Sequence, residues 1–390
     1  MAEWLKTSLI DIVELIGGGT PKTSKAEYWG GNINWLSVKD FNNENRYVYS
    51  TEKTITEEGL NNSSTKLLRK DDIIISARGT VGELAMIPFP MAFNQSCYGI
   101  RAKGGINSTF LYYLIKHSVR KLKAMTHGSV FDTITRDTFA NIEVAIPDIE
   151  TQQRVAKMLA DIDDKVENNQ RINNNLEQQA QAIFSNEFLT LEALPDGWKQ
   201  ASLIDIADYL NGLAMQKYRP TADETGIPVL KIKELRQGCC DDNSELCSPN
   251  IKSEYIIHDG DVIFSWSGSL LVDFWCGGIC GLNQHLFKVT SNKYDKWFYY
   301  AWTKHHLDRF IAVAADKATT MGHIKRDELS KAEVLIPNEA DYKRIGTLLQ
   351  PIYDLIIANR IENKKLAETR DTLLPKLMTG EIDISEVDYE

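Results

Sequence analysis

The sequence predicts an α+β protein built as an internal pseudo-twofold repeat: two mixed α/β domains, each followed by a long helix, the two helices forming an antiparallel coiled coil. Three observations predict it. Short segments recur in the same order about 190 residues apart, each half mixes β-branched runs with turn-rich stretches, and each half closes on a heptad-patterned segment.

The repeat is read from matched segments. Ser8-Leu9-Ile10-Asp11-Ile12 returns letter for letter as Ser202-Leu203-Ile204-Asp205-Ile206, and Leu36-Ser37-Val38-Lys39-Asp40 is answered by Leu230-Lys231-Ile232-Lys233-Glu234, both at an offset of 194. At an offset of 189, Asp72-Ile73-Ile74-Ile75-Ser76 matches Asp261-Val262-Ile263-Phe264-Ser265, and Asn94-Gln95 matches Asn283-Gln284. At 190, Arg136-Asp137 and the run from Glu143 to Pro147 match Arg326-Asp327 and the run from Glu333 to Pro337. A collinear series with so little drift is a duplication, and the drift marks loop insertions. The expected organisation is a mixed domain over 1–150, a helical spacer over 151–190, a second mixed domain over 191–338, and a second helical spacer with the C-terminal tail over 339–390.

Within each mixed domain, runs such as Asp72 to Ser76 read as strands between turns rich in Gly, Asn and Pro. Thr109 to Ile115 and its counterpart Lys296 to Trp302 read as helices. Their aromatic residues are expected to pack a shared core, with base stacking as the other use for them. The spacer helices show alternating steps of four and three. The first seam is Val155, Leu159, Ile162, Val166, Asn169, Asn173, Leu176, Ala180 and Ile183, and the second is Ile345, Leu349, Ile352, Ile356, Asn359, Asn363, Leu366, Arg370 and Leu373. Two asparagines interrupt both seams at equivalent places. A polar seam residue lowers stability but fixes register. In an antiparallel pair, Asn169 would face Asn363 and Asn173 would face Asn359, because both number pairs sum to 532. The alternative is that these asparagines lie on a wet face. Pro351 is expected to bend or restart the second helix, and Pro375 to disturb its last turn.

Composition narrows the function. The chain has 390 residues, 43% hydrophobic and 25% charged, the balance of a soluble globular protein. No run reaches the roughly 18 to 20 apolar residues of a membrane span. The N-terminus lacks the basic-then-apolar form of a signal peptide, so a cytoplasmic setting without membrane contact is expected. A formal charge of −10 excludes a protein that coats DNA by bulk positive charge, while leaving room for a local basic groove. Cys97, Cys239, Cys240, Cys247, Cys276 and Cys280 are expected to be reduced. A zinc site on the last four has unsuitable spacing, so no metal is expected. There is no phosphate-binding Gly-x4-Gly-Lys-Ser/Thr loop, no Asn/Asp-Pro-Pro-aromatic loop of an amino-methyltransferase, and no carboxylate–lysine group of a metal nuclease. Gly17-Gly18-Gly19 precedes Thr20-Pro21 and opens no helix, and His305-His306 sits among aromatics. The chain reads as noncatalytic.

Particular segments resemble a known family. Gly18-Gly19-Thr20-Pro21-Lys22, the run from Tyr28 to Asp40, Ile75-Ser76-Ala77-Arg78-Gly79-Thr80-Val81-Gly82, the transition at 146 to 154, and the ending from Leu373 to Ile382 resemble the specificity subunits of type I restriction–modification systems. The resemblance covers essentially the whole chain in the family's order: target recognition domain, conserved helix, target recognition domain, conserved helix. It implies that each recognition domain reads one half of a bipartite site in double-stranded DNA. It also implies that the helices set the spacer and dock two adenine methyltransferase subunits, and that restriction/translocase subunits join for cleavage. S-adenosylmethionine, ATP and Mg would then be bound by those partners, and none by this chain. A helix of about 37 residues spans roughly 55 Å, on the order of 16 base pairs, an upper bound for the spacer.

Direct readout uses Arg or Lys on guanine and Asn or Gln on adenine, with nearby cations and hydroxyls on phosphates. In the first domain the candidates are Thr20, Lys22, Lys39, Arg78, Thr80, Asn94, Gln95, Ser129 and Arg136. In the second they are Lys217, Lys233, Ser267, Ser269, Asn283, Gln284, Lys317 and Arg326. Arg78 is the sharpest, in a turn directly after a strand, although a surface ion pair would also account for it. The recurrence of Asn-Gln in both halves favours a structural turn there. Gly18-Gly19-Thr20-Pro21 becomes Gly212-Leu213-Ala214-Met215, and Arg78 becomes Ser267, so the two half-sites are expected to differ. The rival readings are a coiled-coil adaptor without a DNA role and a self-sufficient restriction enzyme. Residues 1–150 carry 17 basic and 17 acidic groups, whereas 191–338 carry 16 and 20, so the acidity lies away from the first domain.

Overall fold

The computed structural model describes residues 4–43, 45–126, 133–316, 324 and 326–384. The chain divides into two compact units, Met1–Glu167 with Leu366–Glu390, and Asn168–Lys365, so each unit takes a part of both long helices.

The first unit runs β1 (Leu5–Ser8), β2 (Val13–Gly17), β3 (Trp29–Leu36), α1 (Val38–Phe41), β4 (Lys53–Ile55), α2 (Glu57–Asn61), β5 (Leu67–Leu68), β6 (Ile73–Ser76), β7 (Leu84–Met86), β8 (Met91–Phe93), β9 (Cys97–Ala102), α3 (Ser108–Thr126), α4 (Arg136–Ala140), β10 (Glu143–Ile146) and the start of α5 (Ile149–Phe184). One sheet has the order β2-β9-β6-β7, a second has β4-β3-β8-β5 with β3 and β8 parallel, and β1 pairs with β10.

The second unit runs β11 (Lys199–Ser202), α6 (Leu203–Ile206), β12 (Asp208–Asn211), β13 (Ile227–Leu230), α7 (Ile232–Gln237), β14 (Leu246–Cys247), β15 (Ile256–Ile257), β16 (Val262–Ser265), β17 (Leu271–Phe274), β18 (Cys280–Leu282), β19 (Leu286–Thr290), α8 (Lys296–His305), α9 (Leu307–Asp316), α10 (Arg326–Ser330), β20 (Glu333–Ile336) and most of α11 (Glu339–Met378). Its sheets are β12-β19-β16-β17, β14-β13-β18-β15 and β11-β20. Every strand pairing of the first unit recurs ten strands later, with β13 and β18 again the parallel pair.

Burial explains why these segments form. Ile73, Ile74 and Ile75 of β6 are all buried, as a strand covered on both faces requires, and Val262, Ile263 and Phe264 of β16 repeat the pattern. Phe110 to Ile115 of α3 and Trp297 to Trp302 of α8 are buried core residues, so their aromatics pack the domains and offer no stacking platform.

The long helices supply the remaining wall of each core. In the first unit Val155, Ala156 and Leu159 of α5 share a cluster with Leu374, Leu377 and Met378 of α11. In the second, Ala180 and Phe184 share one with Ile345, Leu349, Tyr353 and Ile356. There the segments run antiparallel. Asn169 Nδ2 donates to Asn363 Oδ1 at 2.8 Å, and Asn359 Nδ2 donates to Asn173 Oδ1 at 2.9 Å. The restart expected as one outcome at Pro351 is absent, since α11 is one continuous helix through Pro351 and Pro375. Buried Leu349 and Tyr353 flank Pro351 and hold the helix in place despite the missing N–H. None of the six cysteines forms a disulfide. Among the described residues no helix is long and apolar enough to cross a membrane.

Candidate nucleic-acid interface

In the first unit a cleft of about 420 Å³ opens beside the turn that follows β6. Lys39, Arg78, Thr80 and Asn94 line it, together with Trp35, Ser37, Asp40, Glu52, Lys53 and Ser96. The turn is built by its own residues. Ser76 Oγ donates to the Thr80 carbonyl at 2.5 Å, and Gly79 takes a φ of +76° that a side chain would resist. This closure leaves Arg78 exposed at the tip. Asp40 is occupied by the scaffold: its carboxylate accepts from Ser37 N, Ser37 Oγ and Glu52 N at 2.7 to 2.8 Å. Lys53 lies 5.9 Å from the Trp29 ring centroid. Among the described residues neither Arg78, Lys39 nor Lys53 has a carboxylate partner. The cleft therefore offers three exposed cations and hydroxyls as hydrogen-bond donors.

The second unit has its cleft, about 470 Å³, at the repeat-related place. Lys233, Asn283 and Gln284 line it with Arg219, Lys231, Glu245 and His285. Lys233 and Asn283 are the counterparts of Lys39 and Asn94. The charge balance differs. Glu245 accepts from Lys231 at 2.5 Å and lies 3.2 Å from Arg219, and the Lys231 hydrogen bond holds its carboxyl below the usual carboxylate range. Lys233 pairs with Asp241 at 2.9 Å, which raises the lysine and lowers the acid. The turn is the same as in the first unit, with Ser265 Oγ donating to the Ser269 carbonyl at 2.9 Å and Gly268 at φ +66°.

The remaining candidates fall elsewhere. Arg136 donates to the Leu15 carbonyl at 3.2 Å, and Arg326 donates to the Tyr209 carbonyl at 3.1 Å, each clamping an α4- or α10-type helix to a neighbouring strand. The same clamp recurs in both units and gives one guanidinium nitrogen of each arginine a scaffold role, while both side chains remain exposed. Ser267 is only 2% exposed and cannot reach a base edge, so that choice is corrected, whereas Ser269 is exposed. Asn94 Oδ1 accepts from Ser96 N at 3.0 Å, and Asn283 Oδ1 accepts from His285 N at 3.3 Å. Both asparagines thus close a turn, even though their side chains border the clefts. A β-carbon at Gly18 or Gly212 would run into the Asn94 or Asn283 carbonyl, which is why glycine stands at both places. The Thr20 hydroxyl bonds Gln95 Oε1, and Gln284 Nε2 lies 3.3 Å from His285 Nε2. Lys22 and Lys217 are exposed outside the lining. Ser129 and Lys317 lie outside the described residues. Sequence reasoning missed Lys53, Lys231 and Arg219, and also Arg236, whose Nη1 donates to Ser269 Oγ at 3.4 Å. Only the basic residues crowding Lys231-Ile232-Lys233-Glu234-Leu235-Arg236 could have flagged it.

Two topologically identical units with repeat-related clefts are what a duplicated recognition module requires. The model of the type I restriction modification DNA specificity domain matches residues 1–178 and again 195–368. The chain belongs to that family. The type I restriction enzyme MjaIX specificity subunit of Methanocaldococcus jannaschii is 29% identical, over 99% of this chain and 95% of its own length. The Escherichia coli EcoR124I/EcoR124II specificity subunit is 31% identical over 169 residues, 41% of each chain. A crystal structure of a type I restriction–modification S subunit from M. genitalium shares the fold, with a TM-score of 0.60 at 15% identity over 97% of this chain and 96% of that one. As a type I specificity chain this protein selects DNA sequence and is not itself catalytic. The clefts suit that task, since their exposed groups are donors of the kind that contact phosphate and base edges. Among the described residues no group of three or more His, Cys, Asp or Glu could hold a metal ion.

Proposed function

We propose that each unit reads one half of an asymmetric bipartite site in double-stranded DNA through its cleft. Under this reading α5 and α11, of 36 and 40 residues, set the distance between the half-sites and dock two adenine methyltransferase subunits. Restriction/translocase subunits join that assembly for cleavage. S-adenosylmethionine, ATP and Mg serve the partners, and methyl transfer, with extrusion of the target adenine, belongs to the methyltransferase. The observation that carries the proposal is that one scaffold presents two equivalent clefts with different exposed cations. Among the described residues Lys39, Lys53 and Arg78 form no ion pair in the first, whereas Lys231, Lys233 and Arg219 pair with Glu245 or Asp241 in the second. Residues that hold the turns recur, while those available to a base do not.

The test is a genome-wide map of adenine methylation with and without the gene. Loss of methylation at one split motif is expected. Replacing residues 1–150 by another recognition domain is expected to change one half of that motif and leave the other intact. An unchanged methylome in cells expressing the methyltransferase would overturn the proposal and leave an adaptor role.

A further inference from the structure

The turn beside each cleft is the same device with different guanidinium supply. In the first unit Arg78 stands at the turn itself, and among the described residues it forms no ion pair. Its counterpart Ser267 is buried and reads nothing. An exposed guanidinium nevertheless reaches the same turn in the second unit, because Arg236 of α7 donates to Ser269 Oγ at 3.4 Å. The helix leans on the turn, with Ile232 Cδ1 3.7 Å from the place of a β-carbon on Gly268.

We infer that Arg236 is a specificity-determining residue of the second unit, donating to a guanine edge in the half-site bound there; the inference rests on the reading of the clefts as DNA-binding. Charge availability singles it out. Arg219 and Lys231 share Glu245, and Lys233 is held by Asp241. Arg236 has no carboxylate partner among the described residues, only a long bond to a neutral hydroxyl, which is easily exchanged for a better acceptor. The planar fork of a guanidinium matches guanine O6 and N7 in a fixed geometry, which the single flexible ammonium of a lysine reproduces less rigidly.

The test uses the chain assembled with its methyltransferase subunits and a library of DNA duplexes randomised over both half-sites. Arg236→Ala and Arg236→Lys are compared with the wild type, with thermal unfolding as a check on folding. The expected result is a loss of about 5- to 150-fold in affinity for the preferred duplex. In Arg236→Ala one position of the second half-site loses its guanine preference, the first half-site is unchanged, and Arg236→Lys restores the preference only in part. Uniform weakening on all sequences, with the salt slope reduced by about one, would reveal a phosphate contact and overturn the inference. Unchanged selection by Arg236→Ala would overturn it too. If the wild-type assembly shows no preference over the second half-site, it is the reading of the cleft that fails.

Discussion

His306 of the second unit lies among Trp302, Phe310 and His305, and its Nε2–H donates to the Glu333 carbonyl at 2.8 Å. Burial pushes its pKa down to about 4 from an ordinary value of 6.5. Between those values the unfolded chain binds a proton that the folded chain refuses, so stability falls as pH drops from about 6.5 toward 4. The loss approaches ~3 kcal/mol from this residue. Urea unfolding between pH 7.5 and 5 is expected to show a steeper loss in the wild type than in His306→Gln. An equal slope in the two proteins would assign the loss to other groups. Placing individual residues from sequence succeeds only where the placement is local. The exposure of Arg78 is legible because a turn after a strand exposes whatever stands at its tip. Arg136 and Arg326 look equally basic, but their strand carbonyls lie 121 and 117 residues away in sequence. Arg236 gains its place through a contact with Ser269, 33 residues on. No spacing rule anticipates either kind of contact.

At the scale of elements, the heptads made the two long helices and their antiparallel sense legible. The constant sum of 532 names the asparagine pairs that hydrogen-bond in the second unit. The helix does not restart at Pro351 because tertiary packing outweighs a single missing donor. The part of the helix pair in the first unit holds what the seam pattern only half disclosed. Arg370, on the seam, donates from Nη1 to Asp163 Oδ1 at 2.9 Å, and Tyr113 donates to Asp163 Oδ2 at 2.6 Å. Both ionic side chains are 5% exposed. Their repeat counterparts in the second unit, Ala180 and Tyr353, are core residues, so the two ends of the helix pair are chemically distinct. Removing one partner strands a buried charge. Asp163→Ala is therefore expected to destabilise the protein by about 3–5 kcal/mol, and the Asp163→Leu/Arg370→Leu double variant by far less. Denaturant midpoints across the double-mutant cycle check this, and losses that simply add would show that the pair is not coupled.

The whole molecule carries −10 although its task is to bind a polyanion. Residues 1–150 are neutral and the deficit accumulates beyond them, and among the described residues the first cleft is lined by Lys39, Lys53 and Arg78 without ion pairs, whereas the cations lining the second are paired. So few unpaired cations at the clefts favour little nonspecific affinity, which leaves base contacts to decide where the protein settles. The chain alone is therefore expected to bind duplex DNA weakly at about 0.15 M salt, with a log–log salt slope no steeper than about −4. Addition of methyltransferase partners should tighten binding and steepen that slope, because the further phosphate contacts then come from them. Fluorescence anisotropy of a labelled duplex, titrated with the chain and then with the assembly at several salt concentrations, measures both quantities. Tight, steeply salt-dependent binding by the isolated chain would mean that its clefts grip the backbone themselves, and that discrimination works against a strong nonspecific background.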